Sequence, residues 1–214
     1  MHLFRLDASI RVEGSVSRAL ADTAEQAWRA EHHDAVVTRR DLGLDPLPAD
    51  LWAPAVRASM DPSAPPAPEA TALMEQLSAE LIDADAYIFA VPLYNWGLPA
   101  QIKIWLDMIL LNPRFKTGGD LPIAGRPAVL ALSRGGGYGP GAPKEGWDHA
   151  GPYLRRMLGE VLGLDVHVAE AELTLADLNP AMAPLRGLAA DLLKSGHENA
   201  AAHGRRVAEL LRTA

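Results

Sequence analysis

The run Ala86-Tyr87-Ile88-Phe89-Ala90-Val91-Pro92 is apolar almost throughout, and it constrains the fold more than any other stretch of the chain. Its length is that of a strand, and because side chains alternate between faces, a strand apolar at both sets of positions must be covered on both sides. Strands covered twice belong to parallel sheets, whose neighbours are joined by crossover helices lying on the two faces. The flanking sequence alternates in the same way. Short strands are predicted at 3–6, around Val36-Val37 within 34–40, at 128–132 and at 166–169. Between them, 15–30 carries Val16, Ala19, Leu20, Ala24, Ala27 and Trp28 at helical spacing, and 68–81 carries Ala72, Leu73, Leu77 and Leu81. Further helices are predicted at 98–111, with Pro99 in the first turn and Asn112-Pro113 as the stop, at 149–162, and at 184–211, where Ser195-Gly196 is a candidate interruption. The expectation is a five-stranded parallel sheet with helices on both faces. It forms one domain over 1–214, since 214 residues enclose one substantial core but are short for two.

Composition removes several function classes. The formal charge is -7 with no Lys/Arg-rich tract, so no nucleic acid is expected as a partner. No apolar run reaches the ~18 residues needed to span a bilayer, and Met1-His2-Leu3-Phe4-Arg5 leads into Asp7 without a signal-peptide core, so a soluble cytoplasmic protein with no membrane partner is expected. The chain has no cysteine, which rules out a disulfide, a thiolate metal site and a Cys nucleophile. Redox chemistry would therefore require a bound cofactor.

The stretch 44–68 holds Pro46, Pro48, Pro54, Pro62, Pro65, Pro66 and Pro68, which allow only a short helix near 51–60. The rest is expected to run over the surface as a functional loop, forming part of a dimer contact or a site wall.

Ligands on parallel sheets sit outside the carboxyl ends of the strands, which points to the loops after the first, third and fourth. The first, 8–17, carries Ser9, Gly14, Ser15, Val16 and Ser17 directly into a helix. Its hydroxyls and the free N–H groups of the helix start suit a phosphate, while a plain capping role for Ser15 is the simpler alternative. Neither G-x-G-x-x-G nor a P-loop is present. The second loop, Leu93-Tyr94-Asn95-Trp96-Gly97, offers two aromatic rings to a planar ligand and an amide to its polar edge, or else a rigid turn that plugs the core. The third, Ser133-Arg134-Gly135-Gly136-Gly137, lets the backbone approach a ligand closely, or serves as a lid or linker. Ala131-Leu132-Ser133-Arg134-Gly135 also approximates a nucleophile elbow, giving a serine hydrolase with Ser133 as nucleophile and Asp177 and His203 as partners. That reading ranks second, because the glycines after Ser133 do not start a helix readily. His32-His33 and Asp148-His149 fall at helix ends without the ligand count of a metal site, so caps and solvated groups are expected there.

Taken in order, Ser9 with Ser15-Val16-Ser17, then Leu93-Tyr94-Asn95-Trp96, then Ser133-Arg134-Gly135-Gly136, resemble the FMN-dependent NADH:azoreductase family. The likeness extends to Gln101-Ile102-Lys103-Ile104-Trp105-Leu106-Asp107 and Phe115-Lys116-Thr117, and covers about 3–170. The resemblance implies a flavodoxin-like homodimer with one FMN per subunit, reducing quinone or azo acceptors with NADH or NADPH by ping-pong two-electron transfer. It implies that Ser9, Ser15, Val16 and Ser17 hold the phosphate end, and that Leu93, Tyr94, Asn95, Trp96, Ser133, Arg134, Gly135 and Gly136 surround the isoalloxazine, with no acid or base side chain required. Trp96 stands where the family commonly has Phe, Gly97-Leu98-Pro99 departs from its usual helix start, and the segment before Gly125 is short. These departures bear on the acceptor pocket more than on FMN. A flavodoxin-type electron carrier would share the FMN site without a place for the nicotinamide donor.

Overall fold

The computed structural model describes residues 1–61, 63–116 and 119–213. Pro62 of the proline-rich stretch and Thr117 of the Phe115-Lys116-Thr117 segment lie outside the described residues. Five parallel strands form the sheet: β1 (His2–Asp7), β2 (Val36–Asp41), β3 (Ala86–Pro92), β4 (Pro127–Ser133) and β5 (Asp165–Ala171), in the order β2-β1-β3-β4-β5. Every residue of β3 and β4 is buried, as the unbroken apolar run requires. The helices are α1 (Val16–Arg29), α2 (Trp52–Met60), α3 (Pro68–Ile82), α4 (Ala100–Leu111), α5 (Gly151–Arg155) and α6 (Arg186–Thr213). This is the flavodoxin-like arrangement that the sequence led us to expect.

The two faces of β3 explain how the layers differ. Tyr87, Phe89 and Val91 point to one side, where Phe4 and Trp105 stack with ring centroids 6.3 Å apart and α2, α3, α4 and α5 add Ala55, Leu77, Ile109 and Leu154. Ala86, Ile88 and Ala90 point to the other, against Leu20, Ala24 and Trp28 of α1 and Ala200, Val207 and Ala208 of α6. The small residues on this second face draw the helix backbones in. A Cβ on Gly204 would stand 2.2 Å from the Ala24 carbonyl oxygen, and one on Gly196 would stand 2.8 Å from that of Glu170.

That packing corrects one expectation. The terminal helix is continuous through Ser195-Gly196, because Gly196 is where α6 closes on β5 and burial outweighs the propensity cost of about 1 kcal/mol. It also starts at Arg186, after a 3-10 segment at Pro180–Leu185. The helix expected at 98–111 begins at Ala100, because the chain from Tyr94 to Gly97 is committed to a hairpin turn. The helix expected at 149–162 begins at Gly151, where Asp148 Oδ1 accepts from the N–H groups of Ala150 and Gly151 at 2.9 and 2.8 Å, and it continues as a π-helical segment over Arg156–Val161. Asp148 thus braces the turn before the helix, whose N-cap is Ala150, and it is not the cap itself. The proline-rich excursion yields α2 where a short helix was allowed, and it is partly anchored, with Leu47 buried and its N–H donating to Gln101 Oε1 at 3.0 Å. Among the described residues, no helix is long and apolar enough to cross a membrane.

Candidate functional site

In the order β2-β1-β3-β4-β5 the chain leaves β1 in opposite directions, first to β2 and later to β3, and a crevice opens where the two paths part. A cleft at the carboxyl ends of the strands lies there, with a cavity volume of about 190 Å³. A larger hollow of about 480 Å³ lies at the amino-terminal edge, against Asp85, Arg126, Asp165 and Leu210. Chemistry favours the smaller one, since it gathers hydroxyls, a cation and a helix start into the position where such sheets bind ligands.

The end of the cleft under β1 is built by 9–16. Gly14 has φ +67, a conformation glycine adopts without strain, and it turns the chain into α1 beneath the Arg11 guanidinium. Ser15 precedes α1 in extended conformation, yet its side chain makes no capping bond. The first helical bond runs from the Ala19 N–H to the Ser15 carbonyl at 3.0 Å, so the amides of Val16, Ser17 and Arg18 precede the helical ladder. The Ser15 hydroxyl reaches only the Ser17 hydroxyl, at 3.4 Å, the long limit of a hydrogen bond. Both hydroxyls keep capacity for a further partner.

The opposite wall comes from the turn after β3. Tyr94 and Gly97 exchange backbone hydrogen bonds at 2.9 Å around Asn95 (φ 46) and Trp96 (φ 65), which is a two-residue turn with both central residues left-handed. Asn tolerates this geometry; for Trp it is strained by roughly 1–3 kcal/mol. The turn aims Tyr94 back across the switch point, where its Oη accepts from the Ile10 N–H at 3.2 Å and lies 3.3 Å from Ser9 Oγ. Trp96 is 41% exposed and meets the ring of Trp147 edge to face at 5.5 Å.

The third wall joins the loop after β4 to the loop after β5. The N–H groups of Leu173, Thr174 and Leu175 donate to the carbonyls of Gly136, Arg134 and Gly135 at 3.2, 3.1 and 3.2 Å. Gly135 lies directly under the Leu175 side chain: a Cβ there would stand 2.7 Å from Leu175 Cδ1, and that exposed side chain would have to shift.

Of the twelve residues singled out in the sequence, Ser9, Ser15, Val16, Leu93, Tyr94, Ser133 and Gly135 line this one cleft. Ser17 is fully buried behind Ser15, and Gly136 contributes a backbone carbonyl to the third wall. Asn95 and Trp96 form the turn beyond Tyr94 without lining the cleft. Arg134 points away and pairs with Asp148 at 2.9 Å and Glu170 at 2.8 Å. Sequence reasoning missed Thr174 and Leu175, noted Gly14 in the first loop, and gave no site role to Arg11 or Pro92. The carboxyl-end rule, applied to β5 as well, would have found Thr174 and Leu175. Among the described residues of 44–68, none lines the cleft of its own chain.

The elbow reading does not assemble. His203 pairs its Nε2 with the Val168 carbonyl at 3.2 Å and stacks on His167, and burial beside that second ring lowers its pKa. Asp177 stands exposed beside Arg186, and a loop rather than a helix follows Ser133. Among the described residues, no group of three metal-ligating side chains converges.

Fold and cleft together define a doubly wound α/β protein with an anion-receptive helix start and a wall of Pro92, Leu93, Tyr94 and Leu175 at its switch point. The flavodoxin-like fold family matches residues 1–184. An FMN-dependent NADH:quinone oxidoreductase of Kineococcus radiotolerans is 44% identical over 187 residues, covering 86% of this chain and 89% of that one. One of the same name from Parafrankia is 41% identical, covering 85% and 88%. An FMN-dependent NADH-azoreductase of Bacillus anthracis, solved in complex with FMN, superposes with a TM-score of 0.77 at 19% identity, covering 97% of this chain and all of that one. The chain belongs to the family of FMN-dependent NADH:quinone oxidoreductases, on the flavodoxin-like fold.

Proposed function

We propose that the protein is an FMN-dependent NAD(P)H oxidoreductase that reduces quinones or aromatic azo compounds by a ping-pong, two-electron exchange. The observation that carries this reading is one cleft that joins an anion-receptive end, with Ser9, Arg11 and Ser15, to an end lined by Pro92, Leu93, Tyr94 and Leu175. The residues fit the cofactor by their own chemistry. Two hydroxyls that are hardly bonded to each other, a cation and the free amides of a helix start suit a phosphate, and Pro92, Leu93, Tyr94 and Leu175 suit a planar ring. FMN bound here would supply two-electron redox chemistry between a reduced nicotinamide and an acceptor.

The chain's part is binding, orientation and exclusion of water. Ser9, Ser15 and the amides of Val16 and Ser17 hold the phosphate, with Arg11 as its counter-charge and Ser17 Oγ supporting Ser15. Leu93, Tyr94, Ser133 and Gly135 frame the ring, with Leu93 and Leu175 keeping water from it. The Tyr94–Ser9 contact ties the two ends of the cleft together. A homodimer in which a second copy of the chain covers the site is supported by the cavity volume of about 190 Å³, below the ~300–1,000 Å³ that usually encloses a ligand. A cytoplasmic location goes with this reading, since the nicotinamide donor is found there.

Steady-state kinetics test the proposal. Varying NADH at several fixed quinone concentrations should give parallel double-reciprocal lines, because donor leaves before acceptor binds. Intersecting lines would contradict the shared site, and no oxidation of NADH at all would leave an FMN electron carrier.

A further inference from the structure

Arg18 makes more polar contacts near the cleft than any residue that lines it, yet it does not line it. It sits on the first turn of α1 with its side chain turned toward β2. Its Nε donates to the Arg11 carbonyl at 3.0 Å and its Nη2 to the Ser9 carbonyl at 2.7 Å. The guanidinium also grips both oxygens of Asp41, at 2.6 and 2.7 Å, and stands 3.8 Å from Asp7 at the end of β1. Asp41 is fixed in turn, since its Oδ1 accepts from the N–H groups of Gly43 and Leu44 at 3.0 Å each. Burial pushes the Asp41 carboxyl up, but the bonds from Arg18 and those two amides outweigh it and hold the group below the usual carboxylate range. Gly43 then packs on the loop from outside. A Cβ there would stand 2.0 Å from the Ser9 carbonyl oxygen and 3.1 Å from Arg18 Nη2, so no other residue fits.

These contacts bracket the loop 9–14 at two carbonyls and tie it to the end of β2. A planar fork with five donors can satisfy two carbonyls and a carboxylate together; an ammonium of the same charge cannot. We propose that Arg18, locked by Asp41, is a positioning residue that holds loop 9–14 in its phosphate-binding shape before the ligand arrives. The proposal rests on the reading of residues 9–17 as the FMN phosphate site. Without the clamp the loop samples other shapes, and the apparent affinity falls by the fraction of molecules that keep the competent one.

The test is a set of flavin titrations on the full-length apoprotein, with FMN and riboflavin side by side, for wild type, Arg18→Met, Arg18→Lys, Asp41→Asn and Ser15→Ala. A competent population reduced to about a tenth weakens FMN about tenfold in Arg18→Met. Riboflavin, which makes no phosphate contact, should stay within about twofold of wild type by the same arithmetic. Arg18→Lys should recover part of the loss, and Asp41→Asn should add little to Arg18→Met. Amide exchange over 9–14 should speed up in the apoprotein of each clamp variant while exchange in β3 is unchanged. A selective FMN loss in Ser15→Ala without one in Arg18→Met would overturn the clamp and leave the phosphate site standing. Equal losses of FMN and riboflavin in Arg18→Met would reduce Arg18 to a stabilising residue. No selective loss in either variant would remove the phosphate reading and the clamp with it. If Arg18→Met does not fold, Arg18→Lys and Asp41→Asn carry the same comparison.

Discussion

Replacing Ser15 by Ala separates two roles that the sequence alone left open. If Ser15 were an ordinary helix cap, its loss would destabilise the apoprotein by about 1 kcal/mol. The structure gives the hydroxyl no capping bond and only a 3.4 Å approach to Ser17 Oγ, so the apoprotein should lose well under ~0.5 kcal/mol. If Ser15 holds the FMN phosphate, the same hydroxyl faces a dianion, and a hydrogen bond to a charged group contributes about 1.5–3 kcal/mol. Ser15→Ala should therefore weaken FMN binding by roughly 10- to 150-fold and leave riboflavin nearly unchanged. Fluorescence titration of both flavins, beside urea unfolding of the apoprotein, measures all three quantities. The reasoning fails if FMN and riboflavin lose affinity equally, or if the apoprotein loses the ~1 kcal/mol of a missing cap.

Three other outcomes follow from the same contacts. Gly204→Ala should destabilise the fold by about 1–3 kcal/mol, because its Cβ would stand 2.2 Å from the Ala24 carbonyl oxygen, whereas Gly187→Ala on the same helix meets nothing within 4 Å and should stabilise it by up to about 1 kcal/mol; urea midpoints moving in the same direction would refute the close-packing account. Burial pushes the carboxyls of Glu25 and Asp41 up, but their arginine partners hold both below the usual range, so the stability they contribute is complete above the unfolded values of about 4 and is lost as pH falls through the lower folded ones. Melting temperature should therefore drop steeply below about pH 4, and Glu25→Gln should flatten that drop. Arg11→Gln should weaken FMN about fivefold and make its binding less sensitive to salt, as for an exposed counter-charge; an unchanged salt slope would remove Arg11 from the site.

The parts of the fold legible in the sequence are those whose patterns are local. β3 and β4 are buried at every position and almost wholly apolar because both faces are covered, and α1 and α3 each bury one stripe at helical spacing. The edge strands β2 and β5 extend beyond their predicted cores because their outer residues, such as Arg40, Asp41 and Asp165, mix charge with apolar positions. Gly196 reads as a helix breaker until the carbonyl it packs against is known, and that carbonyl lies on β5. The site divides in the same way. Ser9, Ser15 and Tyr94 follow from strand ends and helix starts, while Leu175 enters only because its amide bonds the Gly135 carbonyl 40 residues earlier in the chain. Arg134 reads as a ligand residue until Asp148 and Glu170 are seen beside it. The Arg18–Asp41 clamp joins two charges 23 positions apart, and nothing in either local sequence singles out the pair.

The central claim is that the cleft at the β1–β3 switch point binds FMN and lets a reduced nicotinamide reach it. The most direct measurement mixes the FMN-loaded protein with NADH in the absence of oxygen and follows flavin absorbance, then adds a quinone. The account predicts bleaching by one equivalent of NADH and return of the oxidised spectrum on addition of the quinone. Protein that binds no flavin, or whose bound flavin keeps its oxidised spectrum with excess NADH, would contradict it.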